Sequence, residues 1–226
     1  MKMLNLMHKF KGIIAIDGLA ASGKGLLAGL LAEHYGCDFL PTGNLYRVVA
    51  KKLIENKIDI DSFVQHPDDK ILELIKAQMS QEDLASPSLA SEELSRGSSK
   101  VGTVSAVRQM LSVFQKHWAA KRSLAILEGR DIGTVIFPNA DVKLFLTADL
   151  KVRAARRTKD LRLLGQDITE DAVHDSLLER EQRDMNRKDS PLRKAADAVT
   201  LDTTDLSTDQ MLADAVAIIE KKIDKA

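Results

Sequence analysis

One stretch, Asp17-Gly18-Leu19-Ala20-Ala21-Ser22-Gly23-Lys24-Gly25, constrains this chain more than any other. Before it runs Gly12-Ile13-Ile14-Ala15-Ile16, short, apolar and rich in β-branched residues. After it, Leu26, Leu27, Leu30, Leu31 and Tyr35 recur at helical spacing until Gly36 supplies a stop. A buried strand, a glycine-bearing loop and an amphipathic helix in that order form the context in which such a loop reads as a phosphate cradle. Gly18 and Gly23 permit a tight turn whose N–H groups face inward around an anion. The helix starting near Lys24 adds the positive end of its dipole, and Lys24 brings a compact cation to the β- and γ-phosphates. Gly25 stands where Ser or Thr usually follows the lysine, so no hydroxyl metal ligand is expected there and no protein-built metal site is expected.

The rest of the chain alternates strand and helix. Strands are expected over residues 13–17, at Asp38-Phe39-Leu40, at Leu124 to Leu127, at Val142 to Leu146 and at Val199-Thr200-Leu201. The helices are expected at 24–35, from Thr42 to about Glu55, at 71–79, at about 104–120, after Val142 to Leu146, and from the caps Thr169 and Ser207 onward. Val107, Met110, Leu111, Phe114 and Trp118 predict a core-facing stripe on the 104–120 helix. Ile168 and Val173 are placed for a hydrophobic staple, and Ser207 with Gln210 for a capping box. This alternation predicts a three-layer α/β sandwich around a five-stranded parallel sheet. Residues 56–100 change character: seven serines fall between positions 80 and 99, with Pro87 among them. Apolar residues spaced through this part favour a small, mobile helical insertion over a disordered linker.

Composition narrows the partners. Lys+Arg and Asp+Glu number 33 each, so no global field favours nucleic acid or a membrane surface. The lone Cys37 rules out an intrachain disulfide framework and fits a reducing, cytoplasmic compartment; it reads as a small core residue. No apolar run approaches a membrane span, and the N-terminus, with Lys2, His8, Lys9 and Lys11, is not expected to be a signal peptide.

In parallel sheets ligands bind beyond the carboxyl ends of the strands. Three polar clusters follow strands here: the Lys24 loop, Thr42-Gly43-Asn44-Leu45-Tyr46-Arg47, and Glu128-Gly129-Arg130-Asp131. They are expected to converge on one crevice. A fourth, Arg180 to Arg187, carries Arg180, Arg183 and Arg187 at i, i+3 and i+7 with Asp184 beside them. It reads as an arginine-bearing lid. For Arg183 the alternative is a surface charge pair with Glu179.

With these motifs in place, the chain resembles the bacterial cytidylate kinases, a family of P-loop nucleoside monophosphate kinases. The resemblance rests on Ile16-Asp17-Gly18 to Gly25, Thr42 to Arg47, Ser99 and Arg108. It rests also on Glu128-Gly129-Arg130-Asp131-Ile132-Gly133-Thr134-Val135-Ile136-Phe137-Pro138, Arg153-Ala154-Ala155-Arg156-Arg157, Arg183-Asp184-Met185-Asn186-Arg187, Ser190-Pro191-Leu192 and Ala195-Ala196-Asp197-Ala198. It implies a single kinase domain: a P-loop core of residues 1–55 and 101–226, a monophosphate-binding insertion at about 56–100 and a lid at about 153–190. It implies transfer of the γ-phosphoryl group of ATP to CMP or dCMP, with Mg²⁺, in pyrimidine metabolism, by a monomer.

By position, the resemblance assigns Lys24, Arg130, Arg180 and Arg187 to catalysis. It assigns Gly18, Leu19, Ala20, Ala21, Ser22, Gly23, Lys24, Gly25, Leu26 and Arg157 to ATP. Thr42, Arg47, Arg130 and Arg187 would hold the acceptor phosphate, Ser99, Arg108 and Asp131 the cytosine, and Asp184 the ribose. The chain departs from the family pattern in Leu19-Ala20-Ala21 for Pro-Ser-Gly, Leu26 for the threonine after Gly-Lys-Gly, and Glu128 for Asp before Gly-Arg-Asp. Two other readings are a kinase for another monophosphate such as UMP, and a nucleotide-binding regulator with little turnover, which Leu26 motivates.

Overall fold

The computed structural model describes residues 11–224; the N-terminal stretch behind the signal-peptide reading lies outside the described residues. The strands β1 (Gly12–Gly18), β2 (Asp38–Pro41), β3 (Leu124–Glu128), β4 (Val142–Thr147) and β5 (Val199–Asp202) form one sheet in the order β2-β3-β1-β4-β5. All four pairings are parallel, with Ile14 aligned to Ile126 on one side and to Val142 on the other. β1 is therefore the innermost strand. The chain passes to one side of it for β2 and β3, then to the other for β4 and β5. The loops after β1, β2 and β3 open at the same edge, where such a reversal leaves a crevice.

Side chains alternate across the sheet with the strand period of two. Ile14 and Ile16 of β1, with Leu124 and Ile126 of β3, face the helices α1 (Lys24–Tyr35) and α10 (Thr208–Ile223), packing on Leu27, Leu31, Met211, Ala215 and Ile219. Ala15, Ala125 and Leu127 face the other way, onto α2 (Thr42–Glu55) and α7 (Ser105–Ala120), where Leu45, Val49, Val107 and Leu111 meet them. The expected three layers and five strands are present. Gly36 closes α1 at φ 62°, its N–H reaching the carbonyls of Ala32 and Glu33, and Ser207 and Gln210 form the expected capping box on α10. On α7 the apolar stripe is narrower than its spacing predicts. Val107 and Leu111 are buried and Met110 and Trp118 lie at the margin, but Phe114 is 37% exposed. Arg108, outside that stripe and so on the face expected to be polar, is buried as well.

The serine-rich part is helical. It holds α3 (Ile60–Gln65), α4 (Asp69–Gln78), α5 (Gln81–Leu84), a 3₁₀ turn (Pro87–Ala90) and α6 (Glu92–Val101). Ser80 and Ser91 are helix caps, accepting from the N–H groups of Asp83 and Leu94, whereas Ser95, Ser98 and Ser99 are buried on the inner face of α6. Serine density here reflects capping and polar lining, and only α4 was visible as a helix in the sequence. Two further helices, α8 (Leu150–Leu163) and α9 (Glu170–Asn186), form a hairpin. Thr169 caps α9 through Ala172 N–H, with Ile168 and Val173 packed in one cluster as the staple requires.

Gly97 lets α6 lie close to α2 and α3. A Cβ built there would sit 3.0 Å from Ala50 Cβ and 3.0 Å from Ile60 Cδ1. Replacing Gly97 with Val overpacks that contact, and stability to urea should fall by about 1–3 kcal/mol. An unchanged urea midpoint would show that α6 is free to move outward.

Candidate active site

The phosphate loop departs from β1 at Gly18, where any side chain would collide with the Leu146 carbonyl, only 2.0 Å from a built Cβ. Leu19 N–H donates to that same carbonyl at 3.1 Å, which pins the loop to β4. The loop then turns back through Ala21, held at φ 57°, and Gly23 at φ 89°. The left-handed conformation costs an alanine about 1–2 kcal/mol, so loop strain sits at the position where this chain departs from its family's glycine. Ser22 is fully buried, its hydroxyl donating to Leu19 O at 2.9 Å, and Lys24 Nζ donates to the same carbonyl at 2.5 Å. Arg153 supports the loop from below: it is 2% exposed, donates to Ala20 O at 3.0 Å and to Ala148 O at 2.8 Å, and pairs with Glu181 of α9.

The loops after β2 and β3 are tied together by Thr42 Oγ1, which donates to Glu128 O at 2.8 Å. Arg130 and Asp131 then point to different partners. Arg130 Nε donates to Asp184 Oδ2 at 3.1 Å, while Asp131 pairs with Arg108 and lies 3.6 Å from Arg187. Asp131 therefore does not pair with its chain neighbour Arg130, whose salt bridge is to Asp184. After Asp131 the chain makes a single π-turn, Ile132–Ile136, a geometry common at functional sites.

The α8–α9 hairpin leans over this edge onto α6. Arg180 donates to Ser95 Oγ at 2.9 Å and Arg183 to Ser99 Oγ at 3.1 Å, so Arg183 faces the insertion and not Glu179. Ser176 Oγ and Arg157 both meet the Glu92 carboxylate, at 2.6 and 3.4 Å. The hairpin also has apolar anchors: Ala154, Leu161, Val173 and Leu177 pack with Ala20 of the phosphate loop.

These parts enclose a cleft of about 830 Å³. Of the sequence-derived candidates, Ala20, Ala21, Gly23, Lys24, Gly25, Leu26 and Arg157 line it, as do Thr42, Arg47, Ser99, Arg108, Arg130, Asp131, Arg180, Asp184 and Arg187. Gly18, Leu19 and Ser22 stand behind the wall as supports of the loop. The sequence reading missed Tyr46, Glu92 and Ser95 as wall residues, and Asp17 and Arg153 as supports. Tyr46 could have been found in the Thr42–Arg47 run; its ring lies 5.7 Å from the Arg108 guanidinium carbon.

Cations dominate the cleft. Burial, then the neighbouring Arg130 charge, push Lys24 well below its usual value and Arg180 down to about 9. Burial and Arg157 bring Arg47 to about 10. For Asp184 burial acts upward, but Arg130, Arg180 and Arg187 outweigh it and hold the carboxyl below the usual range. Nitrogens of Arg47, Arg108, Arg180 and Arg187 are buried without a hydrogen-bond partner. Such orphaned donors are rare in folded proteins and mark a place where anionic oxygens belong. Among the described residues no group of three or more His, Cys, Asp or Glu is arranged to hold a metal ion, and no helix is long and apolar enough to cross a membrane.

Comparison with known proteins follows the same lines. The cytidylate kinase family profile matches residues 14–221. The cytidylate kinase of Nitrobacter winogradskyi is 44% identical over 209 residues, 92% of this chain and 95% of that protein. That of Paramagnetospirillum magneticum is 44% identical over 213 residues, 93% of this chain and 98% of that protein. Among solved structures, TT1252 from Thermus thermophilus shares the fold, with TM-score 0.52 and 17% identity over 95% of this chain and 99% of that one.

Asp17, beneath the cleft, is raised to about 6 from 3.8, chiefly by burial and against the hydrogen bonds from Gly133 and Ile132. Its native pKa exceeds its unfolded one, so the folded protein binds more protons in between. This contribution is complete below about pH 4 and is lost as pH rises through about 6. Stability measured by urea titration should therefore lose a downward component over pH 4–6 in Asp17→Asn. The same slope in both proteins would show that Asp17 titrates normally.

Proposed function

The chain belongs to the cytidylate kinase family, and from that premise we propose how its cleft transfers the γ-phosphoryl group of ATP to CMP. The observation that carries the division of labour is the set of buried guanidinium nitrogens without a hydrogen-bond partner on Arg47, Arg108, Arg180 and Arg187. They lie on the acceptor and lid walls of a cleft that opens on the phosphate loop. A regulator that bound a single nucleotide would need the loop, but not a second anion site facing it. ATP occupies the phosphate loop. Lys24 leaves the Leu19 carbonyl for the β- and γ-phosphates, and the N–H groups at the start of α1 face the β-phosphate. Arg47, Arg130 and Arg187 hold the acceptor phosphate, with Thr42 fixing the loop between them. Asp184 receives the ribose, and Ser99, Arg108 and Asp131 the base.

An oxygen of the CMP phosphate attacks the γ-phosphorus in line. The bond from that phosphorus to the bridging oxygen breaks, and ADP leaves with the electron pair. The attacking oxygen is already anionic, so no general base is needed, and alignment and charge stabilisation carry the barrier reduction. Arg180, between the two walls, faces the migrating group with Lys24 and Arg130. The α8–α9 hairpin, within the expected 153–190 lid, excludes water from that space.

The donor set fits Mg²⁺ only as an ion that arrives with ATP. Gly25 brings no hydroxyl, and both Asp17 oxygens already accept backbone N–H groups. Glu128, on the cleft wall and close enough to act on the Lys24 charge, is the carboxylate that would meet its water shell beside the phosphate loop. When bound, the ion neutralises β/γ-phosphate charge. We further infer a cytoplasmic monomer that also accepts dCMP; the free, lone Cys37 supports the compartment, and the family resemblance supports the monomer and dCMP.

Turnover of purified protein with ATP, Mg²⁺ and each of the four ribonucleoside monophosphates tests the reading, and CMP should give the highest kcat/KM. Preference for UMP would overturn the base assignment. Lys24→Ala should lower kcat at least about a hundredfold, the loss of one charged transition-state contact; near-normal turnover of a folded variant would remove the phosphate-loop role. Asp131 is placed to accept from the cytosine amino group, where uracil presents a carbonyl. An unpaired buried group costs about 1–3 kcal/mol, so Asp131→Ala should narrow the CMP to UMP ratio of kcat/KM about tenfold or more. An unchanged ratio would mean that Asp131 only pairs with Arg108.

A further inference from the structure

Asp17 is the last residue but one of β1, immediately before the first glycine of the phosphate loop. Every other inward position of this strand from Ile14 onward is Ile or Ala, and an apolar residue would extend the strand equally well. A carboxylate 5% exposed at this point has to be accounted for by what it binds. Both its oxygens are used. Oδ1 accepts from Ile132 N–H at 2.8 Å and Oδ2 from Gly133 N–H at 2.7 Å. These two amides open the π-turn that directly follows Arg130 and Asp131. The fit is close: a Cβ on Gly133 would lie 3.4 Å from Asp17 Oδ2 and 3.0 Å from Lys143 Cδ. The charged groups that act on Asp17 are Lys24 of the phosphate loop and Asp131 of the acceptor loop, and its own bonds join the end of β1 to the acceptor loop. It is the side chain of a β1 residue, yet its partners are more than a hundred positions away in the chain.

We propose that Asp17 is a positioning residue for the acceptor: its carboxylate clamps the backbone of Ile132 and Gly133 to the end of β1 and so fixes where Arg130 and Asp131 stand relative to the phosphate loop. The proposal rests on the reading that Arg130 and Asp131 serve the acceptor. A single residue thereby sets the spacing of the two walls across which the phosphoryl group moves. The backbone of the acceptor loop is held by a carboxylate each of whose oxygens accepts one of its N–H groups, while the side chains of Arg130 and Asp131 stay on the cleft wall. The donor side does not depend on this clamp, because the phosphate loop is pinned separately by Leu146 O and by Arg153.

The test compares Asp17→Asn with the wild type. The amide keeps one acceptor oxygen but turns an N–H toward one of the two backbone donors. The KM for CMP should rise about tenfold and the CMP to UMP ratio of kcat/KM should narrow, while ATP affinity, measured by calorimetry without acceptor, stays within about twofold. Asp17→Ala, which introduces no competing donor, should behave in the same way. A lowered melting temperature with CMP kinetics and base preference unchanged would reduce Asp17 to a structural role and overturn the proposal. So would an equal loss of ATP affinity, or failure of both variants to fold, since the residue would then serve the whole core. Asp131→Ala run beside them separates the premises. If it narrows the CMP to UMP ratio and the Asp17 variants do not, only the clamp is wrong; if neither does, the acceptor assignment fails with it.

Discussion

Cations in the cleft outnumber the carboxylates available to them, and the arrangement of the surrounding chain follows from that imbalance. Lys24, Arg47, Arg108, Arg130, Arg156, Arg157, Lys159, Arg180 and Arg187 share the walls with Glu92, Glu128, Asp131, Asp160 and Asp184. Asp184 answers to Arg130 and Arg180, and Asp131 to Arg108 and Arg187. Each of these two acids is thus divided between two guanidinium groups and saturates neither. In a partly desolvated space like charges repel over several ångströms. In the function proposed above, the missing negative charge is that of two phosphorylated substrates. Burial makes the deficit matter, because water cannot solvate the orphaned N–H groups that a surface arginine would simply expose.

Holding so many like charges together requires a scaffold that does not yield. The sheet supplies it through the parallel pairing of β1 with β3 and β4, which places the ends of three strands at one edge. Short-range ties then fix the loops: Leu19 N–H to Leu146 O, Thr42 to Glu128 O, Arg153 to Ala20 O. Each is made by a polar group reaching across a large sequence distance to a backbone partner. The backbone, and not only the side chains, is what the active geometry depends on.

The insertion and the hairpin meet each other through a different chemistry. Serine hydroxyls of α6 accept the lid arginines, and Glu92 takes both Ser176 and Arg157. Apolar packing of Val173 and Leu177 on Ala20 joins the hairpin to the phosphate loop itself. The hairpin's position is therefore shared between an apolar contact with the donor side and polar contacts with the acceptor side. Hydroxyl and carboxylate partners of this kind exchange readily with water, which suits the lid role proposed for the hairpin.

The strands, the phosphate loop and the long helices were legible in the sequence because their signals are local: β-branched runs, 3.6-residue spacing, a glycine at Gly36, capping pairs at Ser207 and Thr169. The convergence of three clusters at one edge was also legible, since parallel topology leaves few alternatives. Serine density misled in part, because a capping serine and a disordered one look alike until the helix they start is seen. The pairing of Arg108 with Asp131 and of Arg130 with Asp184, the burial of Arg108 on a face that reads as polar, and the clamp of Asp17 on Ile132 and Gly133 were not legible. Each joins groups distant in the chain, and sequence spacing carries no term for that. The sequence by itself determined which chemical groups this protein has and on which elements they ride. The tertiary structure decided which charge answers which, because that depends on distances across the cleft, and those are set only when the sheet brings the ends of β1, β2 and β3 side by side.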